Sequence, residues 1–397
     1  MNSEEQLKKA LPDYDNCLVN LSNSILLKYG APTSAGTLKL ADEYLKKDRK
    51  NVVLLLLDAM GITILEKHLR RDGFFRSNLK GSYSSVYPPT TVAATTSVMS
   101  GLYPNEHGWL GWDCYFPQID KNVSVFLNTE QKTEKTDYRP PVDEDGNEIW
   151  DEDSLNERVP AAEYNAAYRF CPYKNIIDKI NEAGTNAYFS MPFMPPFPQD
   201  LESILDRITE LCRKPGKKFI YSYWNEPDST MHRTGTVSDE THEMVRSLEK
   251  RIEKLSSELE DTLLIITADH GHIDCDNYCL LDYPDIMECF RRLPSIEPRT
   301  VSMFIKDEYK DSFPDLFRKH FGDGFELYTR EEVLSSRLFG TGNDHERLGD
   351  MIGDIVAVSV TGASLFTTHV EAKLMPGGHA GATSAEMIIP FIVVDKK

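Results

Sequence analysis

Three short apolar runs, each followed closely by an acidic residue or a histidine, constrain the fold of this chain more than any other feature. In "NVVLLLLDAMG" the run ends at Asp58, and in "DTLLIITADHGH" residues 263–267 precede Asp269 and His270. In "KKFIYSYWNEPD" residues 219–223 lead into a polar loop. Runs of this length are typical of buried parallel strands, whose polar side chains follow at the carboxyl end.

Helical patterns separate these runs. In "THEMVRSLEKRIEKLSSELE" apolar residues recur every three or four positions, which predicts an amphipathic helix, and "YKNIIDKINEAG" predicts another that stops near Gly184. "EMIIPFIVVD" is a fourth predicted strand, and "TNAYFSMPF" and "RTVSMFIKD" are weaker ones. This alternation predicts an α/β fold with a doubly wound, mostly parallel sheet and helices on both faces. Ligands of such sheets bind beyond the carboxyl ends of the strands.

One segment interrupts the alternation. Residues 113–169 include "RPPVDEDGNEIWDEDSLNERVP", which is rich in proline and acidic residues. We interpret this segment as an insertion or cap over the site that adds no strand to the sheet, within a single domain of residues 1–397. Asp143, Asp145 and Asn147 imitate the start of a calcium-binding loop, but the glycine falls at the fourth position and Ser154 at the twelfth, so a solvated acidic loop is expected.

Charge and cysteine content narrow the function classes. The formal net charge of -19 disfavours binding to a nucleic acid polymer, because that requires neutralisation of phosphates. The seven cysteines are odd in number and form no CxxC pair, which favours reduced thiols in a cytoplasmic protein. The N-terminal segment has no apolar signal core, and no apolar run approaches the ~18 residues of a membrane span. The expected partner is therefore a small molecule.

Carboxylates and imidazoles gather at the predicted strand ends. Asp228 and His232 are four residues apart in "EPDSTMH", so one helical turn can present both to one ion, and His379 stands in "PGGHAGATS". Together with Asp58, Asp269 and His270 they outnumber the ligands of one tetrahedral site, and they suit a pair of zinc or manganese ions. Taken singly, each Asp could be a helix cap and each His a hydrogen-bonded structural residue.

The stretch "YPPTTVAATTSVMSGLYPNEHG" supplies a candidate nucleophile. Two prolines impose extended backbone, residues 91–100 then have a helical pattern, and Gly101 is the expected stop. Thr90 or Thr91 therefore lies at a helix N-terminus, which favours an anion. A bound metal would make such a hydroxyl a competent nucleophile. The alternative is that either threonine is only an N-cap.

Five motifs now point to one family. "LLLLDAMG", "PPTTVAATTSVMSGLYPNEHG", "EPDSTMH", "TADHGH" and "GGHAGATSAEMIIPFIV" occur in the order found in the alkaline phosphatase superfamily, and the chain resembles its type I phosphodiesterase/nucleotide pyrophosphatase branch. The resemblance implies two divalent ions, usually zinc and in some relatives manganese, and a covalent phospho-threonine on Thr91. One ion would be held by Asp58, Thr91, Asp269 and His270, and the other by Asp228, His232 and His379.

The resemblance also implies a reaction, the hydrolysis of phosphodiester or pyrophosphate bonds in a small phosphorylated substrate such as a nucleotide. One position departs from the family pattern, because Ala94 stands where an Asn usually donates to a phosphate oxygen. The backbone N–H of Thr91 or the hydroxyl of Thr95 could replace it. The alternatives are a phosphomonoesterase or phosphonate hydrolase on the same scaffold, and a catalytically idle homologue that binds a ligand in the metal pocket.

Several residues near the motifs have two interpretations. Trp109 and Trp112 could stack on a substrate ring or pack in the core. His107 is expected to be structural, and His272 could either support a metal ligand or be structural as well. Three residues that precede the second metal motif are candidates to line the pocket: Tyr223, Trp224 and Asn225.

Overall fold

The computed structural model describes residues 7–397, and its strands are numbered here in chain order. They are β1 (Asn51–Leu57), β2 (Leu79–Ser84), β3 (Asp113–Phe116), β4 (Lys121–Ser124), β5 (Thr129–Glu130), β6 (Asn186–Ser190), β7 (Lys218–Trp224), β8 (Thr262–Thr267), β9 (Ile273–Asp274), β10 (Asp276–Cys279), β11 (Ser295–Glu297), β12 (Thr300–Met303), β13 (Phe325–Thr329), β14 (Ile355–Ser359), β15 (Ala363–Phe366), β16 (Gly377–Gly378) and β17 (Ile388–Lys396).

A six-stranded sheet in the order β2-β17-β8-β1-β7-β6 forms the centre of the fold. Strands β6, β7, β1 and β8 run parallel, and β17 is antiparallel to both β8 and β2. Every residue of β1 and β8 is buried, as expected for strands that are covered on both faces. The prediction of an α/β fold with a mostly parallel sheet is confirmed.

The α-helices cover this sheet and connect its strands. Two sets of helices near the sheet contact one another within each set. One set consists of the helices 201–213, 239–258, 62–68 and 74–78. The other consists of the helices 18–28, 91–100 and 176–182. The α-helices of the described chain are Leu18–Lys28, Lys39–Leu45, Ile62–His68, Phe74–Asn78, Thr91–Ser100, Pro104–His107, Ala166–Phe170, Ile176–Glu182, Leu201–Arg213, Asp228–Thr234, Asp239–Glu258, Pro284–Glu288, Phe313–Phe321, Arg330–Ser335, Leu348–Met351, His369–Leu374 and Ser384–Met387.

A second sheet of seven strands has the order β13-β14-β12-β11-β3-β4-β5 and is antiparallel. Strands β3, β4 and β5 come from the segment 113–169 and join this second sheet; the segment adds no strand to the central sheet, as expected, but the interpretation that it contains no sheet element is wrong. The strands form because Cys114, Phe116 and Val123 are apolar and buried. These residues precede the acidic stretch on which the interpretation of the segment was based. The description of 113–169 as an insertion, and of the whole chain as one domain, stays a prediction.

The acidic loop of that segment satisfies its own polar groups. Asp143 Oδ1 accepts hydrogen bonds from the backbone N–H of Asp145 at 2.9 Å and of Asn147 at 2.8 Å, and residues 143–147 are exposed. The side-chain bond from Asn147 lowers the pKa of Asp143. Within residues 7–397, no helix is both long and apolar enough to cross a membrane.

A buried ion pair joins the second sheet to the helix Ser384–Met387, which directly precedes β17 of the central sheet. Arg299, between β11 and β12, donates to both carboxylate oxygens of Glu386, at 2.8 and 2.9 Å. Two further guanidinium hydrogens are donated to the carbonyl oxygens of Ala363 and Thr361, and Glu386 also accepts from the N–H of Gly381. Both side chains are 1% exposed or less, so the pair is desolvated, and four of the five guanidinium hydrogens are hydrogen-bonded.

Replacing Arg299 by Met is expected to lower the free energy of unfolding by about 3–5 kcal/mol, because Glu386 would remain buried without its partner. Urea unfolding at neutral pH measures this change. The control is Arg233→Met, which breaks the exposed pair with Glu240 and is expected to cost less than about 1 kcal/mol. An equal loss of unfolding free energy in the two variants would contradict the structural importance of the buried pair.

Candidate metal centre

The central sheet brings the predicted ligands to one edge. Asp58 follows β1, Asp269 and His270 follow β8, and the helix Asp228–Thr234 that carries Asp228 and His232 follows β7. Because β7, β1 and β8 are parallel neighbours, their carboxyl ends meet at the same place. The convergence therefore results from the strand order.

Asp58, Asp269 and His270 form a first group, with ligand atoms that all lie within 4.8 Å of one another. His270 Nε2 lies 3.3 Å from Asp58 Oδ1 and 3.7 Å from Asp269 Oδ2. Thr91 Oγ1 lies 3.2 Å from His270 Nε2 and 3.3–3.4 Å from the two carboxylate oxygens of Asp58. The hydroxyl is therefore part of this group.

Asp228, His232 and His379 form a second group of the same size. His232 Nε2 is 3.4 Å from Asp228 Oδ2, and His379 Nε2 is 3.7 Å from Asp228 Oδ1. The rings of His379 and His270 stack with their centroids 3.9 Å apart, so the two groups are adjacent. The structure thus brings together all seven residues that the sequence motifs indicated.

Backbone carbonyl groups orient the three histidines. The Nδ1 contacts are 3.0 Å from His232 to Gly377 O, 2.9 Å from His270 to Gly271 O and 3.3 Å from His379 to Pro89 O. A carbonyl oxygen can only accept, so each Nδ1 carries a hydrogen and Nε2 is the ring nitrogen left to bind a metal. In every case that Nε2 is the atom directed at the carboxylates, as a metal ligand requires.

Hydrogen-bond donors of the protein reach some oxygens of the carboxylates and not others. Tyr223 donates its hydroxyl hydrogen to Asp58 Oδ2, and the N–H groups of Ala59 and His270 donate to Asp269 Oδ1 at 3.1 and 3.0 Å. Asp269 Oδ2 and Asp228 Oδ1 are buried and receive no well-aligned hydrogen bond from residues 7–397. Such buried, unpaired oxygens are costly without a counter-charge.

Burial and mutual repulsion dominate the electrostatics of the carboxylates. Burial, followed by the negative charges of Asp269 and Asp228, raises the pKa of Asp58 well above its ordinary value, and burial also raises the pKa of Asp269. Burial opposes ionisation of Asp228 as well, but the neighbouring histidines, His232 foremost, outweigh it and lower the pKa of Asp228. Two divalent cations fit this donor set, since carboxylates and neutral imidazoles suit zinc and manganese.

The helix Thr91–Ser100 begins and ends where the sequence predicts, with Gly101 at φ 72° after it. Thr91 is its first residue, and Thr90 is the extended N-cap residue. The two hydroxyls differ in direction: Thr91 Oγ1 contacts the first ligand group, and Thr90 Oγ1 donates to Glu297 Oε1 at 2.6 Å. Of the two hydroxyls, therefore, that of Thr91 faces the ligand residues.

Several residues beside the ligand groups are structural. Trp109 is buried and donates Nε1–H to Cys171 O at 2.9 Å, which supports the core interpretation. His107 Nδ1 accepts from the N–H of Trp109 at 3.1 Å, and burial lowers the pKa of His107 to about 3, so the ring is neutral. Thr95 donates to Thr91 O at 2.7 Å, so its only hydrogen is engaged within the helix.

His272 lies under the second group, with Nδ1 3.2 Å from Asp228 Oδ1. Burial lowers the pKa of His272 to about 4, so this ring is neutral and can support Asp228 without adding charge. The position agrees with the supporting role, the first of the two interpretations of His272.

A cavity of about 900 Å³ opens from the two groups and passes beside the second sheet. Trp112, 43% exposed, lines it together with Tyr223 and Asn225, and Trp224 does not line it. The cavity also contains residues that the sequence motifs did not indicate, because they belong to the second sheet and the loops beside it: Asp113, Lys132, Arg158 and Glu297. Burial raises the pKa of Glu297 to about 8 and that of Asp113 to about 7.

The amino-acid sequence is similar to a known protein family and to several characterised proteins. The chain matches the type I phosphodiesterase / nucleotide pyrophosphatase family over residues 52–382. Venom phosphodiesterase 2 of Crotalus adamanteus is 26% identical over 200 residues, which are 48% of this chain and 23% of that protein. Ectonucleotide pyrophosphatase/phosphodiesterase family member 1 of Mus musculus is 24% identical over 230 residues, 56% of this chain and 23% of that protein. The match spans less than a quarter of these relatives' length.

Solved structures share the fold. An inactive variant of murine ectonucleotide pyrophosphatase/phosphodiesterase 5, with one Thr replaced by Ala and in complex with AMP, has a TM-score of 0.61 at 17% identity and covers 87% of this chain and 88% of that one. Phosphonoacetate hydrolase from Sinorhizobium meliloti 1021, in complex with phosphonoformate, has a TM-score of 0.56 at 17% identity, with coverages of 87% and 90%. Because the family match includes all seven site residues and most of the sequence, the chain belongs to the type I phosphodiesterase / nucleotide pyrophosphatase family.

Proposed function

We propose that this protein hydrolyses phosphodiester or pyrophosphate bonds of small phosphorylated substrates, with two divalent ions and Thr91 as the nucleophile. The observation that carries the proposal is the position of Thr91 Oγ1. It stands at a helix N-terminus, within 3.2–3.4 Å of three ligand atoms, and faces the cavity. Family membership supports the reaction class.

Asp58, Asp269, His270 and Thr91 would hold one ion, and Asp228, His232 and His379 the other. When bound, the ions would supply the positive charge that stabilises the phosphoryl oxygens and makes Thr91 more acidic; zinc is the first choice and manganese the second. Asp58 and His270 orient the Thr91 hydroxyl. The N–H groups at the start of the helix Thr91–Ser100 can donate to a phosphoryl oxygen.

The reaction then has two displacements. Thr91 Oγ1 releases its proton to solvent and forms a bond to phosphorus, while the bond from phosphorus to the leaving oxygen breaks and that oxygen keeps the electron pair and takes up a proton from solvent. Water next attacks phosphorus and gives up a proton to solvent, the bond from phosphorus to Thr91 Oγ1 breaks, and Oγ1 takes up a proton as the phosphorylated product leaves.

The substrate class is supported by the size of the site and by relatives. A cavity of about 900 Å³ can take a nucleotide-sized molecule. The murine relative was solved with AMP as an inactive Thr-to-Ala variant. The same fold in a phosphonoacetate hydrolase, together with Ala94 in place of the usual Asn, keeps phosphonates and phosphomonoesters as the alternative.

A chelator is expected to lower the melting temperature, because removing the cations leaves the carboxylates of the two groups buried and unneutralised. Zinc or manganese should restore it, and elemental analysis of the restored protein should find about two ions per chain. The measurement is calorimetry before and after dialysis against the chelator. An unchanged melting temperature in protein that contains no metal would contradict the two-ion proposal.

Thr91→Ala is expected to lower kcat at least about a thousandfold while the metal content is kept, because within residues 7–397 no other serine or threonine hydroxyl contacts the ligand atoms. Thr91→Ser, which retains a hydroxyl, should keep a measurable part of the activity. The matched control is Thr95→Ala in the same helix, which should change kcat little, since that hydroxyl is bound to Thr91 O. Normal turnover by Thr91→Ala would show that water attacks phosphorus directly.

p-Nitrophenyl esters of thymidine monophosphate, phenylphosphonate and phosphate separate the substrate classes. The proposal predicts the highest kcat/KM for the thymidine diester, because the cavity can hold the second substituent of phosphorus. Faster turnover of the monoester would assign the protein to the phosphomonoesterase alternative, and faster turnover of the phosphonate ester to the phosphonate alternative.

A further inference from the structure

The N-cap residue of the nucleophile helix does not cap the helix. Thr90 has the extended backbone of an N-cap, with φ -138° and ψ 150°, but its side chain makes no capping hydrogen bond. A threonine in this position ordinarily accepts a hydrogen bond from an N–H of the first turn. Here Thr90 Oγ1 is turned to Glu297 and donates its hydrogen to Oε1 at 2.6 Å.

The first turn is left with free donors as a result. Among residues 7–397, none accepts a hydrogen bond from the N–H of Thr91, Val92 or Ala93, and the first helical bond of this turn is from Ala94 N–H to Thr90 O. Val92 and Ala93 are fully buried. Buried donors without acceptors are costly, and at a helix N-terminus they favour an anion.

Glu297 is well placed to hold the Thr90 hydroxyl away from the helix. It is the last residue of β11, and its Oε1 also accepts from the N–H of Trp112 at 2.8 Å. The strand is paired on both sides, with β12 and β3, so the carboxyl group is anchored by the second sheet. In the described part of the chain, no lysine, arginine or histidine forms an ion pair with Glu297.

We propose that Glu297 is a positioning residue for phosphate binding. By accepting the hydrogen bond of the Thr90 hydroxyl, it prevents this hydroxyl from capping the helix, so the N–H groups of the first turn can donate to a phosphoryl oxygen. These donors then take the place of the side-chain amide that Ala94 lacks. The inference rests on the proposed phosphoryl-transfer function and adds to it a residue that does not contact the reacting atoms.

Removal of Glu297 allows the Thr90 side chain to rotate and cap its own helix. An intramolecular cap competes with the substrate for the same N–H groups, so phosphate binds more weakly. An N-cap contact corresponds to about a fivefold change in an equilibrium constant, and this is the expected size of the effect. If the Thr90 hydroxyl is removed together with Glu297, no side-chain cap competes with phosphate for these N–H groups.

Four variants of the metal-loaded full chain test the inference: Glu297→Ala, Glu297→Gln, Thr90→Ala and the double variant T90A/E297A. The readouts are the affinity for inorganic phosphate by titration calorimetry, kcat and KM for a p-nitrophenyl phosphodiester, and the melting temperature. Glu297→Ala should weaken phosphate binding about fivefold. Glu297→Gln keeps an acceptor oxygen and should bind like the wild type, as should Thr90→Ala and the double variant.

The inference is overturned if the double variant binds phosphate as weakly as Glu297→Ala, because Glu297 would then act through the packing of β11. It is also overturned if Glu297→Gln is as weak as Glu297→Ala, since the charge would then matter and not the hydrogen bond. Glu297→Met fills the same space and replaces Glu297→Ala if that variant unfolds. Failure of the proposed function is a separate outcome, in which the wild type neither binds phosphate nor cleaves the diester.

Discussion

Three buried carboxylates at one edge of a parallel sheet are the constraint on which the rest of the structure depends. Burial, together with the negative charges of neighbouring carboxylates, raises the pKa of Asp58 and of Asp269, and one oxygen of Asp269 and one of Asp228 receive no well-aligned hydrogen bond from the described residues. Such an arrangement is stable only with positive charge beside it. The three histidines, each oriented by a backbone carbonyl with Nε2 directed at the carboxylates, are arranged as metal ligands, so bound cations are the counter-charge that fits this edge.

The second sheet lines the cavity that opens from this charged edge. Arg299 and Glu386 tie the β11–β12 turn to the segment that carries His379, and Glu297 in the same hairpin reaches the start of the nucleophile helix. The substrate would therefore bind between ligands of the central sheet and hydrogen bonds of the second. Within this arrangement the helix supplies both the Thr91 hydroxyl and the free N–H groups beside it.

Local patterns were sufficient to predict most of the central sheet and the clustering of the site residues. Apolar runs such as β1 reveal buried strands, and the residues that follow them meet because parallel neighbours share an edge. The choice between Thr90 and Thr91 required side-chain directions, which local sequence does not encode. Glu297 was missed because it contacts Trp112, which is 185 positions away in the sequence. The spacing of apolar residues does not indicate a contact over such a distance. Strands β3–β5 were missed because their apolar pattern is short and is followed by a long acidic stretch. A cytoplasmic location stays a prediction.

Anomalous diffraction from crystals soaked in zinc tests the central claim most directly. The account predicts two peaks per chain, one among Asp58, Asp269 and His270 and the other among Asp228, His232 and His379, with Thr91 beside the first. Data collected above and below the zinc absorption edge would identify the element. Full zinc occupancy at a single position, or zinc bound only away from both groups, would contradict the two-ion account.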